Sequence, residues 1–253
     1  MPADVAILCA ATASIALAHT LMGPDHYLPF VAMARAGGWS RARVSWVTAL
    51  CGLGHVVSSV VLGGIGVALA LSLTSLAALE SLRAEIAAWG LILFGAFYAA
   101  WGLRAALRGV SHSHWHLHAG AGLHHHEHAH HSDHLHLHEA PHEAPHQASR
   151  EAGRNANRRE SFGVWALLTI FVLGPCEPLI PLLMYPAATG SPGRMALVVA
   201  VFTAVTIATM LAAVLLALAG LGRFTALPLR RYGHAIAGAI VCSCGLLIVL
   251  GGL

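Results

Sequence analysis

Six stretches of the chain can be read as apolar segments long enough to cross a bilayer, which takes about 20 residues. They run roughly over Ala3–Met33, Val44–Leu71, Ala84–Leu107, Phe162–Thr189, Arg194–Gly220 and Tyr232–Leu253. Inside the hydrocarbon every backbone amide and carbonyl must bond within the protein. Segments without the ten-residue alternation of a barrel strand therefore have to be helices. The composition agrees: 57% of the 253 residues are hydrophobic and 10% are charged, whereas a soluble domain carries about 25% charge. Such a chain is not disordered, does not bind nucleic acid and is no ordinary soluble enzyme; it is expected to bind or carry something within a lipid bilayer rather than to catalyse. Ala16-Leu17-Ala18 could mark a signal-peptide cleavage point, but the segment before it lacks a positive charge and carries Asp4, so it is expected to stay as the first span.

The basic residues are all arginines, and their distribution sets an orientation. Twelve lie at the odd-numbered connections and two, Arg83 and Arg194, at the even ones. Excess basic charge stays cytoplasmic. The expected location is a cytoplasmic (inner) membrane of bacterial type, with both termini on the far side.

The two halves of the chain resemble each other. Gly23-Pro24-Asp25-His26 lies 151 residues before Gly174-Pro175-Cys176-Glu177, and Leu28 matches Leu179 at the same distance. At 150 residues, Gly95 matches Gly245, Gly102 matches Gly252 and Leu103 matches Leu253. Three spans per half is an odd number, so the second half must be inverted with respect to the first. The expected fold class is an all-α polytopic membrane protein of six transmembrane helices in a 3+3 inverted-topology repeat. Residues 1–108 form the first three-helix unit, 109–160 a histidine-rich cytoplasmic loop and 161–253 the second unit. Transporters built this way hold their substrate where helices are broken near the midplane. Pro24 and Pro175, each beside a glycine, predict such breaks, and irregular backbone at that depth requires a polar cavity.

The polar residues within the spans cluster at those breaks. Asp25 and Glu177 lie in the two breaks, His19, His26 and Cys176 are close by in sequence, and His55 is midway along the second span. A charge at the bilayer centre costs about 2.5–3.5 kcal/mol or more and usually marks a pathway or site. Imidazole, carboxylate and thiolate together suit borderline divalent transition metals such as nickel, cobalt and zinc. Structural roles compete with this reading. Asp25 and His26 could cap a half-helix, His55 could be a core histidine, and Cys176 could be a small buried residue. Thr203, Thr206 and Thr209 could line a route or bond to carbonyls one turn back. The five cysteines all fall within spans and form no evident disulfide framework; Cys242 and Cys244, two apart on a helix, face different directions.

Fifteen of the 19 histidines lie between His112 and His146. The densest part holds His112, His114, His116 and His118, then His124, His125, His126 and His128, and then His130, His131, His134, His136 and His138. Imidazoles at this density read as a low-specificity metal trap. With few large apolar residues, the loop is expected to be disordered without metal. About 50 flexible residues span roughly 40 Å on average, enough to reach a cavity mouth.

His19-Thr20-Leu21-Met22-Gly23-Pro24-Asp25-His26, Leu53-Gly54-His55-Val56-Val57-Ser58-Ser59 and Leu173-Gly174-Pro175-Cys176 resemble signatures of the nickel/cobalt transporters and of the related urease-accessory-like and nickel/cobalt-efflux membrane proteins. That resemblance implies that Asp25, His26 and His55 are metal ligands, with nickel or cobalt, and zinc as a further candidate, as the ion moved or sensed and no tightly bound cofactor. Cys176-Glu177 stands where the uptake branch has an acidic signature, which points to the efflux or urease-accessory-like branch. The partners implied are the metal ion, the lipid bilayer, a cytoplasmic metallochaperone and further copies of the chain. Two other readings stay open: a membrane thiol-disulfide electron carrier of the cytochrome-biogenesis type, to which Gly174-Pro175-Cys176 is also similar, and an accessory protein that delivers metal without translocating it.

Overall fold

The computed structural model describes residues 3–69, 71–108, 112–118, 122–128, 163–174, 176–221 and 231–251. Helix α1 (Ala3–Met22) stops at the Gly23-Pro24 pair and is followed by a single 3-10 turn, Pro24–His26. Pro24 cannot donate a backbone hydrogen bond and forces the residue before it out of the helical region; Gly23 accordingly lies at φ −89°, ψ 95°. The chain restarts as α2 (Leu28–Gly37), with Pro29 in the first turn, where its missing N–H is harmless. Gly38, at φ 61°, closes α2 in the left-handed conformation that glycine adopts without strain. Ser40 then caps α3 (Arg41–Ala68) by accepting from the Arg43 amide at 3.2 Å. Helix α4 (Leu73–Arg108) follows after a short connection.

The second half of the chain is helical as well. Helix α5 (Gly163–Leu173) ends at Gly174, and α6 (Leu179–Ala188) leads through Gly190, at φ 62°, into α7 (Pro192–Leu221) and α8 (Gly233–Gly251). Five of these helices, α1, α3, α4, α7 and α8, are long and apolar enough to cross a membrane. The segment expected as one span over Phe162–Thr189 is instead two short apolar helices around the second break. The described core is that of a multi-pass helical membrane protein. Its outward faces carry large apolar side chains such as Trp46, Phe97, Trp165 and Leu216, as a lipid-facing surface would.

Two sequence readings need correction. Arg83 and Arg194 do not lie in connections; they are part of α4 and α7. Helix α4 starts eleven residues before the expected Ala84, because Glu80 and Arg83 pair with each other at 2.6 Å and the helix can run through both charges. Within the histidine-rich segment, His112–His118 and Gly122–His128 pair as antiparallel strands, His112 opposite His128 and Leu117 opposite Leu123. The alternation His-Ser-His-Trp-His-Leu-His has the two-residue period of a strand. His130, His131, His134, His136 and His138 lie outside the described residues.

Three apolar clusters bind the helices together. Phe30 and Met33 meet Val44, Val47, Phe171 and Met210; Ala16 and Val56 meet Leu179, Val198 and Phe202; Ala87 and Leu91 meet Ile170, Val241 and Cys244. The most extensive helix pair is α4 with α8, which run antiparallel. Their backbones touch at glycines. A side chain at Gly95 would strike the backbone of Gly238 and Cys242, one at Gly238 the backbone of Ala99, and one at Gly245 the Ala88 carbonyl and Ile92. This is small-residue packing of the kind that draws membrane helices together where lipid supplies no hydrophobic drive.

Gly95→Leu and Gly238→Leu should each destabilise the protein by about 1–3 kcal/mol, the usual range for overpacking. Gly64→Leu, at a position with open space around it, should be nearly neutral. Thermal unfolding of the detergent-solubilised protein measures both.

Candidate metal centre

The break between α1 and α2 puts two histidines on one side of the chain. His19 sits in the last turn of α1, and the amide of Gly23 closes that turn onto the His19 carbonyl at 3.1 Å. The 3-10 turn then brings His26 back towards it, with the ring centroids 4.8 Å apart and nearly perpendicular. Helix α3 contributes His55, whose ring lies 5.2 Å from that of His26 and 6.2 Å from that of His19. One ring nitrogen from each of the three falls within 4.8 Å of the other two. His26 and His55 are 4% and 3% exposed.

The second nitrogen of two of these rings is anchored. Nδ1 of His26 lies 3.1 Å from the Gly23 carbonyl and 3.4 Å from Oδ1 of Asp25. The His55 ring is hydrogen-bonded to the backbone of Phe171, at the end of α5. Nε2 of His19, His26 and His55 has no partner, although each atom is buried. An orphaned buried nitrogen is costly. Three such rings grouped together, two of them with a backbone or carboxylate anchor, have the arrangement by which proteins orient histidine ligands around a divalent ion. Three imidazoles also leave a coordination position open, as sites that exchange a ligand require.

These rings line a chamber of about 370 Å³. Asp25 and Glu177 share its wall with His19, His26 and His55, so the two broken segments and α3 do meet around one space. The Asp25 side chain is 26% exposed and Glu177 is exposed, while His26 and His55 lie deeper. The rest of the wall is mostly apolar, with Ala84, Ala87, Leu91, Ile170, Phe171 and Leu247 among its residues. Two carboxylates facing one chamber can offset the charge of a dication, which in a poorly solvated space is otherwise prohibitive.

Cys176 is not brought to this chamber. It is fully buried against Ala16, Val56 and Leu179, and its amide donates to Oε2 of Glu80 at 3.3 Å. The cysteine that does reach the wall is Cys244 of α8, which its sequence spacing from Cys242 does not reveal. Thr203 bonds back to the Val199 carbonyl at 2.6 Å, so it caps a carbonyl of its own helix. Glu80 and Arg83 are the residues most clearly missed by sequence reasoning. The signal available was a Glu-x-x-Arg pair at helical spacing within an apolar stretch.

Gly23→Ala should disturb the centre directly, since a methyl group there meets the His26 ring and Oδ1 of Asp25. His26→Ala or His55→Ala should weaken Ni2+ binding by more than the about 10–100-fold that losing a supporting group costs. Cys176→Ser should change it less than about threefold, a small fraction of that loss. Isothermal titration of the purified protein separates these outcomes. No family model matches the chain, and no curated protein and no solved structure is significantly similar to it.

Proposed function

We propose that the protein carries a divalent transition-metal ion, nickel or cobalt foremost, through the membrane by way of the three-histidine chamber. The observation that carries this reading is the convergence of three histidine rings, one nitrogen of each within 4.8 Å of the others and each ring with a buried, unpartnered Nε2, on one space that Asp25 and Glu177 also face. Imidazole nitrogen with a carboxylate is a donor set for borderline cations, whereas calcium and magnesium take oxygen. His19, His26 and His55 would hold the ion. Asp25 orients His26 and balances charge, and Glu177 offers a carboxylate at the exposed edge. The similarity of the His19–His26 and Leu53–Ser59 segments to nickel/cobalt transporter signatures points the same way.

The inverted-repeat architecture of six spans belongs to this reading, and the element order supports it. The Gly23 amide bonds to the His19 carbonyl and the Gly174 amide to the Ile170 carbonyl, 151 residues on. Leu28 and Leu179 start α2 and α6, and Arg41 and Pro192 start α3 and α7, each pair at that same separation. Gly95 meets Gly238 and Cys242, while Gly245 meets Ala88 and Ile92. Each of those contacts is the image of the other under a shift of 150 residues, as a twofold axis relating the halves requires. With α5 and α6 counted as one broken span, the total is six.

A thiol-disulfide carrier needs two cysteines that meet. The position in the first break that corresponds to Cys176 is Asp25, which disfavours that alternative.

Proteoliposomes containing the full chain should pass Ni2+ or Co2+, and Asp25→Asn and His55→Ala should each lower the initial rate at least about tenfold, the loss typical of a removed ligand or ligand-orienting group. Unchanged flux in both variants would overturn the proposed site. Binding without flux would favour the accessory, metal-delivering role. Deleting Ser111–Gln147 should reduce metal capture at low concentration and leave transport in place.

A further inference from the structure

An arginine within an apolar helix calls for a reason, and the surroundings of Arg83 supply one. Its guanidinium reaches three elements at once. Nη1 donates to Oε1 of Glu80 at 2.6 Å and to Ser59 Oγ at 3.2 Å; Nη2 donates to Ser58 Oγ at 2.7 Å, to the Val172 carbonyl at 3.0 Å and to the Gly174 carbonyl at 3.1 Å. Glu80 is fully buried, and its other oxygen accepts from the Cys176 amide. The pair therefore grips the second break from both sides: the carbonyls that precede it and the amide that follows. A helix end leaves its last carbonyls without partners, and inside a bilayer those groups must be satisfied by protein.

The same contacts surround His55. Ser58 and Ser59 lie one turn after it on α3, and Ser58 also donates to the His55 carbonyl at 2.8 Å. The Phe171 backbone, to which the His55 ring bonds, directly precedes Val172. Arg83 thus fastens the α3 turn that carries the imidazole to the α5 end that orients it. Among the described residues, no arginine–carboxylate pair holds the first break. There the Leu21 carbonyl accepts from the Tyr27 hydroxyl at 3.5 Å, the Gly23 carbonyl is taken by the His26 amide and ring, that is, by a ligand candidate itself, and the residue 150 positions after Arg83 is Gly233.

Building on the metal-carrier reading, we infer that Arg83, held by Glu80, is a positioning residue that sets the angle and depth of His55 through the α5 end. The planar fork of arginine is needed because it must serve two carbonyls, two hydroxyls and a carboxylate in fixed directions, which the compact ammonium of lysine cannot do.

The test uses Co2+ alone as probe, with the full chain in nanodiscs, and reads its visible absorption bands, which report ligand geometry, together with its affinity. Arg83→Lys keeps the positive charge beside Glu80 and removes the fork. It should weaken Co2+ binding about tenfold or more, the loss typical of a removed supporting group, and shift the bands while the melting temperature stays close to the parent's. Ser58→Ala, a milder change, should shift both in the same direction by less, and it decides the matter alone if Arg83→Lys does not fold. Parent-like bands and affinity in both variants, or in Ser58→Ala alone in that case, would overturn the inference and leave Arg83 a purely structural residue. A parent protein whose Co2+ bands are absent, or survive His55→Ala, would overturn the metal-carrier reading itself, and the inference with it.

Discussion

The need to satisfy backbone polar groups inside lipid underlies this molecule. A continuous helix meets it without help; a broken one does not. The chain breaks two helices, at Gly23-Pro24 and around Gly174, and both breaks are surrounded by groups that a membrane interior otherwise excludes: Asp25, His26, Glu80, Arg83 and Glu177. The chamber, its histidines and the buried ion pair can be read as consequences of those two interruptions. The freed carbonyls need donors, the donors bring charge, and the charge needs partners or space.

The histidine centre follows from that order. His19 and His26 are seven residues apart, and on an unbroken helix both would share a face two turns apart, too far for one ion. The 3-10 turn folds His26 back so that the rings meet at 4.8 Å. The break shapes the proposed ligand set as well as the cavity, so helix geometry and donor chemistry cannot be changed independently at residues 23–26.

Much of the fold was legible in the sequence because hydrophobic length and Gly-Pro pairs are local signals. The α1, α3, α7 and α8 segments, and the interruptions at Pro24 and near Gly174, could all be read without tertiary information. So could the candidacy of Asp25, His26, His55 and Glu177, since a polar residue beside a break in an apolar span has few other uses. Three features could not. Arg83 read as a loop charge because its compensation depends on Glu80, Ser58, Ser59 and two α5 carbonyls, four of which are remote in sequence. Cys176 read as a soft ligand because it follows the proline, yet local turn geometry sends its side chain into the packed interior. Cys244 looked inert, and only the docking of α8 against α4 brings it to the chamber wall.

The glycine contact between α4 and α8 has a mechanical meaning. Where two backbones touch, no side chains stand between them to rearrange, so sliding has no graded intermediates and the pair has a single comfortable register. The two helices form a stiff keel, one plank from each half. Whatever flexing the molecule undergoes must then fall on the segments hung to either side of it, the helices flanking residues 23–27 and 174–178.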